Sequence, residues 1–596
     1  MEHTALSTLI REDVDGRPDV SADWPEAAPP REVRPVSEGK QRWLGSRVIN
    51  EGVVVFLLAF GLYLIVALLL DFKYRTFSGD AFSRMANAFY LLYSRDRHLA
   101  AIGFVWTPLQ SMADLVFLLG NHLWPALSHN DMAGSLVSSL AMAGAVFQIR
   151  SALFEWGITR APRLILTAFF ALNPMIIFYG GNGMSEGLYL FTLVASTRYL
   201  LRWMHRGDLR SLAYSAVALG FAYLTRNEAA GAALLGALVV GVVTYWRTDG
   251  LRSSRAKTAA ADLVIFAAPP FTAAAGWAIT SYVITGHFFE QFTSIYGNSE
   301  QELFLHHQSL GGRVLFEIHA ITALAPLLSI VLLASLVVAL RRRDPRMLAP
   351  VAVLGGALGF DMFAFLNNSI EDFFRYFIAT VPLAVLLLGS LMAAVQAPDA
   401  TTTAGGPVHT EPPRSRVRAL GGLAAVGLVL VAMTPATVTT GSAMLNPSIG
   451  SEETQQLGFI FHSRLDAADL RWKDRYPQEL ALGDYFASLQ LPNGDIVTDN
   501  STGCIPEMLT TMSQPRLFVI PNDRDFQRVL ADPIAFNVHY ILEPNPASTP
   551  ITAQNLLYPA LWSTGAEFTK MVHQIPSRGT CPEFRLFRVL RHSKVA

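Results

Sequence analysis

Long apolar runs recur through the first three quarters of the chain, each bounded by polar or charged residues. A bilayer core of about 30 Å requires about 20 mainly apolar residues per helix. By that measure the sequence predicts eleven membrane-spanning helices, at residues 49–70, 131–154, 164–180, 187–204, 211–226, 228–246, 262–284, 316–340, 348–366, 376–395 and 419–441. The expected fold is therefore a polytopic α-helical membrane domain over residues 46–441.

Basic residues beside these runs predict the orientation, because Lys and Arg are enriched in cytoplasmic loops. Lys40, Arg42 and Arg47 precede the first run and place the N-terminus in the cytoplasm. If all eleven runs cross, every inward loop is basic, whereas the short outward loops carry only Arg226, Arg313 and Arg375. An odd number of crossings places the C-terminal segment outside, in a multi-pass protein of the cell membrane.

The segments between and beyond the runs have other compositions. Residues 1–45 are rich in proline and mixed in charge, which predicts a disordered cytoplasmic tail. Residues 71–130 form a long first outward loop, whose apolar stretch 108–119 is too short to span and predicts interfacial helices. Residues 396–418 are typical of a flexible cytoplasmic linker. Residues 442–596 have a soluble composition, with helical spacing in TQQLGFIFHSRL and DRDFQRVLADPIAF and short strand patterns in DIVTDN, RLFVI, HYILE and FRLFRVL. These patterns predict a small extracytoplasmic α/β domain.

Composition narrows the range of functions. Charged residues make up 16% of the chain, against about 25% in soluble domains. The net charge of −1 provides no basic field to attract nucleic acid, so no nucleic-acid partner is expected. Walker lysine and HExxH motifs are absent from the sequence, which argues against an ATPase and a zincin.

The chain has two cysteines, Cys504 and Cys581, both in the predicted outer domain. A disulfide is permitted in an oxidising compartment, and the predicted orientation favours one here. The alternative is a pair of unbonded thiols that share a domain. Either way, two cysteines exclude a four-cysteine zinc site.

Two acids are predicted to lie on the outer side, where they could act on a substrate. Asp80, in RTFSGDAFSRM, follows the first run by about ten residues. A positioned carboxylate can accept a proton from an attacking hydroxyl, but an Asp at this place could equally cap a helix. Glu186, in GGNGMSEGLYLF, begins the fourth run, where the helix dipole also favours an acid. Two acids from separate outward loops would suit a glycosyl transfer site.

Two arginines are predicted at the depth of lipid headgroups. Arg226 stands at the outer end of the fifth run and Arg375 at the start of the tenth. A guanidinium binds phosphate through paired hydrogen bonds, which makes both candidates for holding a lipid phosphate. The alternative is a local ion pair, of Arg226 with Glu228, or of Arg375 with Glu371 or Asp372.

The outward loop HFFEQFTSIYGNSEQELFLHHQSLGGR is aromatic and acidic and could cover a sugar or an acceptor. Glu290 in this loop and Glu228 are further candidates for binding either one. The adjacent His306 and His307 have a poor spacing for two metal ligands on one helix face, so the loop does not favour a metal site.

In this order along the chain, the motifs resemble those of the GT-C superfamily, the multispanning glycosyltransferases that use polyprenyl-phosphate sugars. The matching segments carry Asp80, Glu186, LTRNE (224–228) and FRYFIATVP (374–382), and the resemblance covers residues 49–395. The protein O-mannosyltransferases and the lipid A aminoarabinose transferases are the members most similar in style. Several branches have paired acids where this chain has Gly-Asp-Ala, so the resemblance leaves the need for a divalent cation open.

The resemblance implies an inverting glycosyltransferase that moves a sugar from a polyprenyl-phosphate donor to a glycan, lipid or protein acceptor at the outer face. Asp80 would be the general base and Glu186 would position the acceptor or sugar, or complete a cation site. Arg226 and Arg375 would bind the donor phosphate. The alternatives are a transporter or flippase of a lipid-linked or polar substrate and a non-catalytic scaffold. Transporters usually show internal repeats and charged or broken helices at mid-membrane. This sequence shows no clear repeat, and its candidate polar residues collect at one surface.

Overall fold

The structure is a computed structural model, and it describes residues 38–295, 309–342, 344–396, 415–473, 475–501, 504–549 and 552–590. The chain divides into two compact units, residues 1–50 and residues 51–596. The helix Glu38–Leu68 begins in the first unit, and the cavity and the sheet described below belong to the second. Of the predicted tail and linker, residues 1–37 and 397–414 lie outside the described residues, as do His306 and His307. A helix begins at Glu38, so the last part of the predicted tail is helical.

The apolar region is built from helices, and each of the eleven predicted runs lies on one to three helical segments. The α-helices up to residue 444 are Glu38–Leu68, Gly79–Tyr93, Leu109–Leu118, Ala126–His129, Met132–Glu155, Arg160–Ala171, Pro174–Tyr179, Glu186–Arg206, Leu209–Thr225, Ala229–Arg247, Arg252–Thr285, Glu290–Thr293, Leu310–Leu324, Leu328–Arg342, Leu348–Pro350, Gly356–Leu366, Thr380–Gln396 and Ser415–Met444. Two π-helical segments, Leu69–Tyr74 and Val351–Gly355, continue or join them. Short 3-10 turns occupy Leu99–Ile102, Pro345–Met347 and Phe374–Phe377.

One predicted span is bent sharply. The run 316–340 forms two helices, Leu310–Leu324 and Leu328–Arg342, which meet at 76°. Pro326 lies at the break, and proline ends a helix because it lacks the N–H and clashes with the preceding turn. The predicted run is therefore a bent pair of helices, which forms one span only if both helices belong to it.

The run 164–180 is also divided in two, at Leu172 and Asn173. The Asn173 side chain accepts a hydrogen bond from the Met175 amide, and Pro174 takes the first helical position of Pro174–Tyr179. An Asn cap followed by Pro is a strong start signal for a new helix, because it satisfies a free amide and presets the backbone.

Within the described residues, six helices are long and apolar enough to cross a membrane, or seven if the bent pair forms one span. Helices on the other predicted runs are shorter or more polar, so this criterion gives fewer than the eleven predicted spans. Large apolar side chains cover the outer surface of several helices, and Leu58, Leu234 and Leu333 are 70%, 74% and 63% exposed. An apolar exterior of this kind is expected of a polytopic membrane protein, because lipid covers it.

The C-terminal part contains a mixed five-stranded sheet. The strands are β1 (Ile496–Val497), β2 (Phe518–Val519), β3 (Tyr540–Pro544), β4 (Thr569–Ile575) and β5 (Phe584–Val589), in the order β2-β1-β3-β5-β4. β1 pairs in parallel with both β2 and β3, while β5 is antiparallel to β3 and β4. The surrounding helices are Ser451–Phe461, Ala467–Lys473, Arg475–Ser488, Ile505–Thr511, Phe526–Ala531, Ala553–Leu557 and Leu561–Thr564. The predicted combination of an apolar helical region with a C-terminal α/β domain is confirmed.

A disulfide joins Cys504 to Cys581 across 77 positions. Cys504 precedes the helix Ile505–Thr511, and Cys581 lies in the turn before β5. Both sulfurs are buried, so the bond is part of the interior of the domain.

Candidate active site

A cavity of about 610 Å³ lies between residues 80–106, the apolar helices and the C-terminal sheet. Four segments supply most of its wall: one face of the helix Gly79–Tyr93, residues 103–106, residues 371–376 and the loops that follow β1 and β2. Three of the predicted site residues, Asp80, Glu290 and Arg375, line this cavity.

Asp80 and Arg375 are in direct contact at the cavity wall. The Arg375 Nη2 atom donates to Asp80 Oδ2 at 2.6 Å. Asp80 lies in the first turn of its helix, but the N-cap residue is Ser78, so the Asp80 carboxylate is not the cap. Its side chain is 30% exposed, whereas that of Arg375 is 3% exposed. The cavity therefore gives a substrate access to Asp80, the more exposed member of the pair.

The charge on Asp80 is set by opposing effects. Burial disfavours the ionised carboxylate, but the positive charges of Arg375 and Arg84 outweigh it and hold the pKa of Asp80 below its usual range. Asp80 is consequently ionised at neutral pH. A carboxylate in that state can accept a proton without first losing one.

Arg375 is fixed by contacts on several sides. It lies in the 3-10 turn Phe374–Phe377, and its guanidinium faces the rings of Phe373 and Tyr376 at 4.6 and 5.5 Å from their centroids. Its Nη1 atom donates to Glu452 at 2.6 Å. The turn and the aromatic rings therefore hold a cation in one place at the cavity wall, with two carboxyl groups bound to it.

Glu452 is a site residue that sequence reasoning missed. It lies in the first turn of the helix Ser451–Phe461, and the Ser78 hydroxyl donates to it at 3.2 Å. Burial raises the pKa of Glu452 to about 8, although the charge of Arg375 opposes this. The pair of acids at 452–453 was visible, but acids at a helix start are common because the helix dipole favours them. Nothing in that pattern pointed to an arginine 77 positions away.

Glu186 lies behind this pair and depends on a glycine-rich turn. Gly183 has a φ of +76°, and a Cβ there would meet Asp131 Oδ2 at 2.3 Å, so only glycine fits. The helix then begins at Glu186, which is 1% exposed. Its Oε1 atom accepts from Arg226 at 2.6 Å and lies 3.7 Å from Arg375 Nε. Glu186 thus links the two arginines.

Arg226 also binds its sequence neighbour Glu228. Its Nε and Nη2 atoms both donate to Glu228 Oε1, at 3.0 and 2.7 Å. The Tyr376 ring is shared, with its centroid 5.4 Å from the Arg226 guanidinium and 5.5 Å from that of Arg375. The local ion pair left open for Arg226 is therefore present. Arg226, Glu186 and Glu228 form a layer behind Arg375 and are not among the cavity-lining residues.

A second aromatic and basic contact lies along the same wall. The Arg84 guanidinium lies 4.2 Å from the centroid of the Trp106 ring, and Trp106 lines the cavity. Glu371 is a further lining acid, and burial raises its pKa to about 7. At neutral pH the Glu371 carboxyl is therefore partly protonated, beside an ionised Asp80.

The acids of the site are not arranged as ligands of one metal ion. Asp80, Glu186, Glu228 and Glu452 each accept a hydrogen bond from an arginine. Among the described residues, the side chains that bring three potential metal ligands together are Glu479, Cys504 and Cys581, and the two cysteines are bonded to each other. We derive no step through a divalent cation.

No protein-family model and no curated protein matches this sequence. Among solved structures, ArnT from Cupriavidus metallidurans bound to undecaprenyl phosphate is similar, with 16% identity, a TM-score of 0.49, and 91% of this chain and 98% of that one covered. The archaeal oligosaccharyltransferase AglB from Archaeoglobus fulgidus, in complex with an inhibitory peptide and a dolichol-phosphate, is similar at 11% identity and a TM-score of 0.39, covering 94% and 75%. Values this low assign neither an activity nor a substrate to this chain.

Proposed function

We propose that this chain is an inverting glycosyltransferase that takes a sugar from a polyprenyl-phosphate donor and passes it to a hydroxyl acceptor at the outer face of the membrane. The observation that carries the proposal is the contact between Asp80 and Arg375 at the wall of one cavity. A transfer of this kind needs a base for the acceptor and a cation for the departing phosphate, about 3 Å from the reacting atoms.

The proposed reaction uses both residues at once. Asp80 accepts the proton of the acceptor hydroxyl as its oxygen forms a bond to the anomeric carbon of the sugar. The bond from that carbon to the phosphate oxygen breaks, and the electron pair leaves with the polyprenyl phosphate. Arg375 binds the phosphate and stabilises the negative charge that develops on it. Attack opposite the leaving group inverts the anomeric configuration.

Asp80 becomes available when the donor binds. In the structure its carboxylate accepts a hydrogen bond from Arg375 Nη2. A phosphate that takes over this guanidinium replaces one anion by another and releases the carboxylate toward the acceptor. The Asp80–Arg375 contact would then be the resting arrangement of the site.

The residues behind Arg375 have a positioning role in this proposal. Glu186 lies 3.7 Å from Arg375 Nε, and the Arg226 guanidinium lies 5.4 Å from the centroid of the Tyr376 ring. The Glu186 carboxylate and the shared Tyr376 ring limit where the Arg375 guanidinium can move, which matters because catalysis is sensitive to displacements of about 1 Å. Glu228 and Glu290 were candidates for binding the acceptor or sugar. Glu228 now has the role of holding Arg226, while Glu290 keeps a place at the cavity wall.

The test uses the full chain, purified and placed in lipid nanodiscs. It is incubated with polyprenyl-phosphate mannose, arabinose and aminoarabinose in turn, with an oligosaccharide mixture as acceptor, and released polyprenyl phosphate is measured. We expect release from at least one donor, together with a glycosylated product of inverted configuration. Absence of release from every donor, with binding of polyprenyl phosphate also absent, would overturn the proposal.

The transport alternative is tested on the same protein in sealed vesicles. A flippase moves a labelled polyprenyl-phosphate sugar between leaflets without breaking the bond to phosphate. We expect no protein-dependent movement of an intact donor across the bilayer. Movement without any release of polyprenyl phosphate would favour the transporter.

A further inference from the structure

The C-terminal sheet meets the cavity at the carboxyl ends of its parallel strands. β1 lies between β2 and β3 in the sheet. The chain therefore runs from β1 to its neighbour on one side, β2, and then crosses over to its neighbour on the other side, β3. In open α/β sheets such a change of direction leaves a crevice at the strand carboxyl ends, and ligands bind there. The loops that follow β1 and β2 supply Asn500, Ser501, Pro521 and Asn522 to the cavity wall.

Three asparagines form a connected set at this point. Asn500 Nδ2 donates to Asn522 Oδ1 at 2.7 Å. Asn522 Nδ2 donates to the Ala101 carbonyl at 2.7 Å and to Asn87 Oδ1 at 3.3 Å. The three asparagines come from the first outward loop and from two strand ends of the outer domain, and all three line the cavity. The fixed amide of Asn522 therefore orients the amides on either side of it.

One of these asparagines, Asn87, lies on the same helix face as Asp80. Asp80, Ser83, Asn87 and Tyr90 are spaced three or four residues apart on one helix and all face the cavity. Seven residues of α-helix separate Asp80 from Asn87, which is about 10 Å along the axis. The wall between them is longer than one sugar ring. The buried Tyr90 hydroxyl lies beside Asn500. Among the described residues it has no partner within the usual hydrogen-bond distance and angle.

The chemistry of this wall suits a carbohydrate. A sugar hydroxyl both donates and accepts, as do the side-chain amides of Asn87 and Asn500 and the hydroxyl of Ser83. Trp106, held by Arg84, supplies an aromatic surface for the apolar C–H groups of a sugar ring. A peptide bound by strand addition would need a free sheet edge, and the cavity meets strand ends instead. A lipid acceptor would need a continuous apolar wall, which these amides interrupt.

We infer that the acceptor is a glycan, bound by Asn87 of the helix Gly79–Tyr93 and by Asn500 at the carboxyl end of β1. Asn522, at the carboxyl end of β2, orients these two amides, and the reacting hydroxyl of the glycan lies toward Asp80. This inference rests on the proposed glycosyl transfer and names its acceptor class. The outer domain would thus select the acceptor through two strand-end loops.

The experiment measures binding of the full chain in nanodiscs to a printed array. The array carries oligosaccharides that end in mannose, arabinose, galactose, rhamnose or glucose, and also Ser/Thr peptides. We expect binding to at least one oligosaccharide class and none to the peptides. Asn500→Ala together with Asn522→Ala should weaken that binding about tenfold or more, because several hydrogen bonds to the ligand are lost or misplaced.

Two further variants separate a lost subsite from a misfolded domain. Ser83→Phe fills the cavity between Asp80 and Asn87 from the other side and should weaken binding to a similar extent. Asn493→Ala is the matched control, because Asn493 is exposed at the amino end of β1. It should bind within about twofold of the unchanged chain.

The outcomes distinguish this inference from the proposed function, because donor turnover is measured on the same samples. If the protein turns over a donor with peptide acceptors and binds no oligosaccharide, the glycan subsite is wrong. The proposal of glycosyl transfer is then still supported. Oligosaccharide binding with no turnover of any donor overturns the transferase and leaves the subsite. Equal oligosaccharide binding by all four proteins also overturns the subsite, because the asparagines would then have no part in it.

Discussion

Arg375 donates a hydrogen bond to Asp80 at 2.6 Å across 295 positions of the chain. The contact joins the start of the helix Gly79–Tyr93 to the turn that precedes a late apolar helix. It puts a cation and an ionised carboxylate at one wall of the cavity, with Glu452 on the other side of the same guanidinium. The binding of a phosphate and the activation of a hydroxyl are therefore coupled through one arginine in our account.

The buried pair of Arg226 and Glu186 gives a prediction on stability. Arg226→Met leaves Glu186, which is 1% exposed, without its 2.6 Å partner. Removing one member of a buried ion pair typically costs about 3–5 kcal/mol, because the other charge stays buried and unpaired. Thermal unfolding in detergent should show a large drop in the melting temperature for this variant. The double variant Arg226→Met/Glu186→Gln should melt higher than Arg226→Met alone. A double variant that melts no higher would show that the pairing is unimportant.

The pH dependence of donor binding gives a second prediction. Burial raises the pKa of Glu371 to about 7 and that of Glu452 to about 8, so both acids are neutral at low pH and acquire charge as the pH rises through these values. The new negative charges beside Arg375 repel the donor phosphodiester, whose own charge is constant in this range. Affinity for polyprenyl-phosphate mannose should therefore fall on the order of tenfold between about pH 6 and pH 9.

This dependence is measured by equilibrium binding in the Asp80→Asn background, which prevents turnover. Because the charge of Asp80 helps to raise the pKa of both acids, the fall in affinity should begin at a lower pH in this background. Glu371→Gln/Glu452→Gln in that background cannot acquire the two charges, so its binding curve should be flat. A binding curve that falls equally in the Glu371→Gln/Glu452→Gln variant would show that other groups cause the pH dependence.

The disulfide gives a third prediction. Closing a loop of 77 residues restricts the unfolded chain, which by the chain-entropy relation contributes about 4 kcal/mol to the free energy of unfolding. Cys504→Ser/Cys581→Ser should lower the melting temperature of the outer domain by about 10 °C. A reducing agent should have a similar effect on the unchanged chain and none on the double variant. Equal melting temperatures for the two proteins under oxidising conditions would contradict this.

Much of the architecture could be predicted from local patterns. Every apolar run lies on a helix, because about 20 apolar residues can satisfy their backbone groups in lipid only as a helix or closed barrel. β1, β2, β3 and β5 lie on predicted strand segments, whereas β4 was not predicted. The β4 segment, TKMVHQI, is largely exposed and mixes polar with apolar residues, so it lacked a clear alternating pattern. Pro326 could have indicated the bend in the run 316–340.

The site was predictable only in part, because its contacts join distant segments. Asp80, Glu186, Arg226 and Arg375 were selected as polar groups expected on one membrane face, and the structure brings them into one cluster. Local patterns could not show which acid meets which arginine. Arg375 contacts Glu452 in the next domain, and Asn522 contacts Asn87 across 435 positions. Such pairings depend on how the domains pack together. A short sequence motif carries no information about that packing.

The central claim is that Asp80 is the base and Arg375 the phosphate-binding group of one site. The most direct measurement compares Asp80→Asn and Arg375→Gln with the unchanged chain in two assays: binding of polyprenyl phosphate and turnover of a polyprenyl-phosphate sugar. Asp484→Asn, an exposed acid of the outer domain, serves as the control. We predict that Asp80→Asn lowers turnover by about 10²–10⁴-fold while polyprenyl phosphate still binds, and that Arg375→Gln loses binding as well. Near-normal turnover by Asp80→Asn, or full phosphate binding by Arg375→Gln, would contradict the account.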